Sequence, residues 1–198
     1  MKIQLLAFAF AAFLSSPTMA GLIDFEGDSF GGVSNGFTST SDSGVHFTDT
    51  IASGLQIHTH QALGSQNLLV FGDDASRLQI DFDFTIDSLS LFFGNDDACC
   101  SNSGDLAWLE IFNGGSSVGI TSVLMNRNDL TDQSINISAA SFDSALFWYG
   151  DVSGAAINLI EAVDNISFNA VDVPEPISLA LFGLGLAGIG FSRKKKTA

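Results

Sequence analysis

The chain has 198 residues, 46% of them hydrophobic and 18 of them Phe, which is enough apolar material for a packed core and argues against intrinsic disorder. Its formal net charge is −15, and of its seven Lys and Arg only Arg77 and Arg127 lie between Asp24 and Asp172. Such a middle repels phosphate backbones, which excludes nucleic acid as a partner, whereas it suits solubility, repulsion between like chains or collection of divalent cations.

Residues 1–20 read as a secretory signal peptide. Lys2 is the positive start, Leu5 to Leu14 form an apolar run without a polar face, and Thr18-Met19-Ala20 offers small residues for cleavage. The exported domain is then expected at residues 21–172, delivered by the Sec translocation machinery.

Within that domain short alternating runs replace any helical period. Segments 22–25, 45–48, 51–57 and 67–71 come first. Leu78, Ile80, Phe82, Phe84 and Ile86 then alternate with polar residues, as a strand with one buried face does. A turn is expected at Asp87-Ser88, followed by Leu89, Leu91 and Phe93. Later candidates are 106–112, 117–123, 134–138, 145–149, 156–160 and 163–168. The segments between them, 31–42, 72–76, 94–104, 113–116 and 126–132, are rich in Gly, Asn, Asp and Ser, the residues of turns. A dozen strands with such spacing predict an all-β antiparallel sandwich or jelly roll.

Several side chains in this body are candidates for chemistry. Cys99 and Cys100 are the only cysteines. Their Cα atoms are necessarily about 3.8 Å apart, below the usual disulfide range, so a bridge between them is a strained vicinal form, with pairing to another chain or free thiols as alternatives. The acidic clusters Asp73-Asp74, Asn95-Asp96-Asp97 and Asn128-Asp129 with Asp132 lack EF-hand spacing and read as turn formers. His58 and His60 share one strand face but have no obvious third ligand, and His46 adds none. Trp108, Trp148 and Tyr149 are candidates for a sugar-stacking platform, although alternation with Leu106 and Phe112 favours a place in the core for Trp108. No GxSxG elbow is present, and no catalytic carboxylate pair stands out, so the domain is read as non-catalytic.

The C-terminal segment, residues 173–198, has three parts: Val173-Pro174-Glu175-Pro176, the charge-free stretch from Ile177 to Phe191, and a basic run from Arg193. Fifteen helical residues span about 22 Å, short of the roughly 30 Å hydrocarbon core, so this is a marginal permanent anchor. The basic run is expected to stay cytoplasmic and to hold the Pro-Glu-Pro marker at the outer membrane surface. Its prolines keep the marker extended and accessible. Gly183 to Gly188 match GxGxxG, but the chain ends before a dinucleotide unit could form, and glycines here suit close helix approach.

In all three parts this tail resembles the PEP-CTERM sorting signal of bacterial surface proteins. The resemblance implies recognition by an exosortase, removal of the hydrophobic tail near Pro174, Glu175 and Pro176, and delivery to the cell surface or an exopolysaccharide (biofilm) matrix. Ile23-Asp24-Phe25-Glu26, the run from Ser90 to Asp97, and Val163-Asp164-Asn165-Ile166-Ser167-Phe168 resemble the jelly-roll and galactose-binding-like domains that precede such tails. That second resemblance implies neighbouring first and last strands and a calcium ion held by Glu26 and Asp164, with Asp24 or Asp28 assisting. The resulting expectation is a structural or glycan-binding surface module. The alternative is a secreted hydrolase of matrix polysaccharide, with its active site in the loops at 95–105 and 126–132.

Overall fold

The computed structural model describes residues 20–51, 54–59, 65–72, 74–96 and 98–171, which lie in the unit Thr18–Val171. The signal segment, the sorting tail, His60, Asp73 and Asp97 lie outside the described residues. Among the described residues no helix is long and apolar enough to cross a membrane.

The architecture is all-β and antiparallel. Its strands are β1 (Ala20–Ile23), β2 (Gly31–Gly32), β3 (Phe37–Ser39), β4 (Asp42–Asp49), β5 (Leu55–His58), β6 (Asn67–Val70), β7 (Leu78–Gly94), β8 (Leu106–Asn113), β9 (Ser116–Leu124), β10 (Gln133–Gly150) and β11 (Glu161–Ala170). The two long strands organise the rest. The first half of β7 lies between β4 and the second half of β10, whereas its second half lies between β11 and the first half of β10.

Flat, this ribbon would hold Phe93 and Phe147 about 50 Å apart, because Phe147 opposes Leu78 and Phe93 lies fifteen residues further on. Their ring centroids are 5.7 Å apart. The ribbon therefore folds over on itself and generates two layers. One layer reads β3-β4-β7-β10-β8-β9, and the other reads β2-β5-β6-β11-β7-β10 with β1 extending the outer edge of β11.

The expected turn at Asp87-Ser88 is absent. Ser88 is paired on both sides, with Ser138 and with Asn169, and the bend is taken up by register shifts in β10 around Phe142. Segments 134–138 and 145–149 are correspondingly one strand. The segment 156–160 is no strand and contributes only an isolated bridge from Ala156 to Gly150. The first and last strands are neighbours, with Ile23 opposite Ile166.

Between the layers the inward residues interleave, with Phe25, Phe47, Phe93, Phe142, Phe147 and Tyr149 the largest fully buried side chains. Tyr149 joins the layers by more than packing. Its hydroxyl donates to the carbonyl of Gly94 in the opposite layer. Gly94 is itself required by crowding, since a Cβ there would lie 2.3 Å from the carbonyl oxygen of Leu130.

Candidate functional site

Strand pairing assembles a continuous polar and apolar surface on the outside of the first layer, because directly opposed residues share a face. One row across the strands is Thr48, Gln79, Leu146, Glu110 and Ile120. The next carries His46, Asp81, Ser144 and Phe112, and a third pairs Trp148 with Trp108 and Trp108 with Ser122. Within these rows Gln79 Nε2 donates to both carboxylate oxygens of Asp81 at 2.9 and 2.8 Å, which fixes both side chains. Gln79, Phe112, Gly115, Ser144, Ala145 and Leu146 line a depression of about 210 Å³. Ile120 and Leu124 extend the apolar strip into solvent along β9.

This layout corrects two sequence expectations. Trp148 is 2% exposed and Tyr149 is fully buried, so neither presents a ring to solvent and they do not form a platform. They alternate along β10, with Trp148 pointing outward beneath its neighbours and Tyr149 inward between the layers. Trp108, favoured for the core, lies half-buried on the outer face instead, and Ala107, Leu109 and Ile111 fill the core from β8. The loop after β10 holds both indoles: Trp108 Nε1 donates to the Asp151 carbonyl and Trp148 Nε1 to that of Gly154, each at 3.1 Å.

Asp24, Glu26 and Asp164 meet where β1 joins β11. Burial pushes the Asp164 carboxyl above its ordinary value, and the charges of Glu26 and Asp24 add to that, against hydrogen bonds from Asn165 and Ser65. Glu26 accepts from the Gln66 amide at 2.8 Å. Asp28 is turned elsewhere, accepting from the Ser39 hydroxyl at 2.6 Å and the Thr40 amide at 2.7 Å. Among the described residues no three His, Cys, Asp or Glu side chains are gathered as a metal-binding group.

Cys99 and Cys100 are joined to each other by a disulfide. Their loop meets the 126–132 loop through Arg127, whose guanidinium donates to Ser101 Oγ and to the carbonyls of Ala98 and Ser101. The two loops of the hydrolase alternative are therefore adjacent. Asp105 accepts from the Asn102 amide and Asp132 from Asn126 and Asn128, while the fully buried Asp96 accepts from the Arg127 amide of the other loop. His58 packs its ring against Phe30, and His46 pairs with Asp83 on the outer face.

Sequence reasoning missed Gln79, Asp81, Glu110, Ser144 and Leu146 as members of one surface. Their signal was the polar half of each alternating run. Nothing along the chain shows that these strands lie side by side.

The Pro-Glu-Pro marker and the segments after it decide the one clear relationship to known proteins. Residues 172–194 match the PEP-CTERM protein-sorting motif. The PEP-CTERM motif marks an exported protein, and it contains Pro174, Glu175 and Pro176. No curated protein matches the chain. Among solved structures, a carbohydrate-binding module of family 29 is similar at 12% identity and a TM-score of 0.42, over 83% of this chain and 99% of that one. A CBM22-1 xylan-binding domain from Paenibacillus barcinonensis is similar at 12% identity and 0.41, over 79% and 95%. An arabinose-bound α-L-arabinofuranosidase reaches 18% and 0.42, but only 26% of its own chain is covered. Likeness at this level assigns no ligand and no activity to this chain.

Proposed function

We propose that the PEP-CTERM tail anchors the exported protein transiently in the membrane, that an exosortase-type enzyme removes it, and that the released domain binds polysaccharide at the cell surface or in the extracellular matrix without cleaving it. The sorting part of this reading is supported by the PEP-CTERM motif. The binding part is supported by one observation: Gln79, Asp81, Ser144 and Glu110 are set among Trp108, Phe112 and Leu146 on a single sheet face.

Rigid strands suit this task. Apolar faces of sugar rings lie on aromatic and aliphatic side chains, while amide, carboxylate and hydroxyl groups bond the sugar hydroxyls. The high negative charge selects neutral glycans over anionic ones.

Two measurements test the reading. The mass of the mature protein recovered from cells is expected to lack residues after the Pro-Glu-Pro marker, and recovery with Lys194 to Lys196 intact in the inner membrane overturns the sorting part. Incubation with neutral polysaccharides is expected to give binding that Gln79→Ala and Trp108→Ala abolish, with no shorter oligosaccharides released. Release of oligosaccharides by the unaltered protein, lost on altering acids of the 95–105 loop, would establish the hydrolase instead.

A further inference from the structure

Among the described residues β9 pairs only with β8, so the backbone N–H and C=O groups along its free side form an open edge. The other strands that pair on one side only, β1, β2 and β3, have four, two and three residues. The first half of β10 is the remaining long margin, and it exposes Ser134, Asn136, Ser138 and Ala140 but no large apolar side chain. β9 has nine residues and exposes three such side chains, Val118 at 45%, Ile120 at 53% and Leu124 at 59%.

Soluble proteins blunt their edges with charge, proline or brevity. β9 uses none of these: Ser116 to Leu124 include no Asp, Glu, Lys, Arg, His or Pro, in a chain whose net charge is −15. Its one irregularity is a register shift that leaves Val118 without a counterpart between Ser117 and Gly119. The stretch from Gly119 to Leu124 is regular.

Charge and symmetry select the occupant. Another strand is what completes the hydrogen bonds of an open edge. Two copies of this chain repel wherever their acids meet, and along β9 there are none to meet. Directly opposed residues share a face, so a two-fold pairing that continues the sheet must be centred on a residue. A centre at Ser122 uses only the regular stretch. It sets Ile120 against the partner's Leu124, Thr121 against the partner's Val123, and Ser122 against the partner's Ser122. Centres at Thr121 or Ile120 draw the bulged Val118 into the ladder. Glu110 is the one acid of β8, opposite Ile120, and in the Ser122 register it stays about 20 Å from its copy, beyond the roughly 8 Å reach of exposed charges in physiological salt.

We propose that a second copy of this chain pairs β9 to β9, antiparallel about Ser122, and joins the two first layers into one sheet. The pairing is independent of glycan binding, but it lengthens the outer face. Trp108 lies in the row of Ser122, so the two copies of this indole come about 14 Å apart, three strand spacings, on one surface. Five opposed residues a side bury less than the ~1,200 Å² of a standard stable interface, which makes the dimer reversible.

The test uses the full chain in mild detergent, because of its apolar tail, and without glycan. Light scattering is expected to give twice the chain mass at about 100 µM and the single mass below about 1 µM, as a small interface implies. Changing both Ile120→Lys and Leu124→Lys is expected to raise the dissociation constant by at least about 10-fold, with the circular dichroism spectrum unchanged. Since Cys99 and Cys100 are bonded to each other, Ser122→Cys supplies a lone free thiol. Opposed Cβ atoms lie about 4.5–5.5 Å apart, so a short bis-maleimide is expected to link two copies of that variant. Ser117→Cys places its two thiols more than about 30 Å apart in the same dimer, and it should stay unlinked. A single chain mass at about 100 µM overturns the proposal and leaves the edge to a different partner. So does a dimer that the two lysines leave intact, or equal linking at positions 117 and 122. With glycan absent, none of these outcomes bears on polysaccharide binding.

Discussion

Trp108 and Trp148 stack across β8 and β10 with ring centroids 6.1 Å apart and planes 11° from parallel, and Arg77 closes the far side of Trp148. The stack makes one indole the foundation of the other. Trp148→Ala removes a buried ring and is expected to destabilise by about 3–5 kcal/mol, the range for buried aromatic deletions. Trp108 is half-buried, so Trp108→Ala is expected to cost about 1–2 kcal/mol while leaving Trp148 more open to acrylamide quenching. Chemical denaturation checks both, and equal losses would mean that the stack is not layered in this way.

Tyr149 is expected to matter through one oxygen. Tyr149→Phe keeps the ring contacts with Phe93 and Phe147 but leaves the Gly94 carbonyl without its side-chain donor in the interior. The expected loss is about 1–3 kcal/mol, the cost of an unsatisfied buried group. A denaturation midpoint matching that of the unaltered protein would show that the bond between layers is dispensable.

Asp151 supplies an acid-sensitive support for both indoles. The Ser153 hydroxyl first, and then the Ser153 amide, hold its carboxyl below the ordinary value of 3.8. A group depressed in the folded state contributes stability above its unfolded value and loses that contribution as pH falls through the lower folded one. The emission difference between the unaltered protein and Asp151→Ala is therefore expected at neutral pH and should vanish well below pH 3.8. Trp108 and Trp148 are the only tryptophans, so fluorescence reads this loop directly.

Arg127 adopts a left-handed backbone at φ 62° and spends its guanidinium on the neighbouring loop. Arg127→Ala removes three hydrogen bonds at once, and amide exchange is expected to accelerate from Ala98 to Asp105 with a global loss of about 1–2 kcal/mol. Arg127→Lys keeps the charge but not the planar fork, so its loop should exchange almost as fast. Unchanged exchange in both variants would assign the loop's order to the Cys99–Cys100 bridge.

The sorting tail was legible because its information is linear: a rigid marker, an apolar stretch and a basic stop need only follow one another. The all-β class was legible for a related reason. Period-two alternation in 78–86 and 106–112 reports that a strand has one buried face without naming its partners.

Phase was legible only where the two faces differ in chemistry. In β7, Leu78, Ile80 and Phe82 oppose Gln79 and Asp81, and the sequence assignment stands. In β8 the sign rested on one residue: Glu110 marks the series of Leu106, Trp108 and Phe112 as outward, but the three large apolar members outweighed it in the reading, and Ala107, Leu109 and Ile111 fill the interior. The outer surface and the open edge of β9 were decided by which strands became neighbours when the β7–β10 ribbon folded over. Those contacts join residues as distant as Gly94 and Tyr149, and a local pattern cannot encode them.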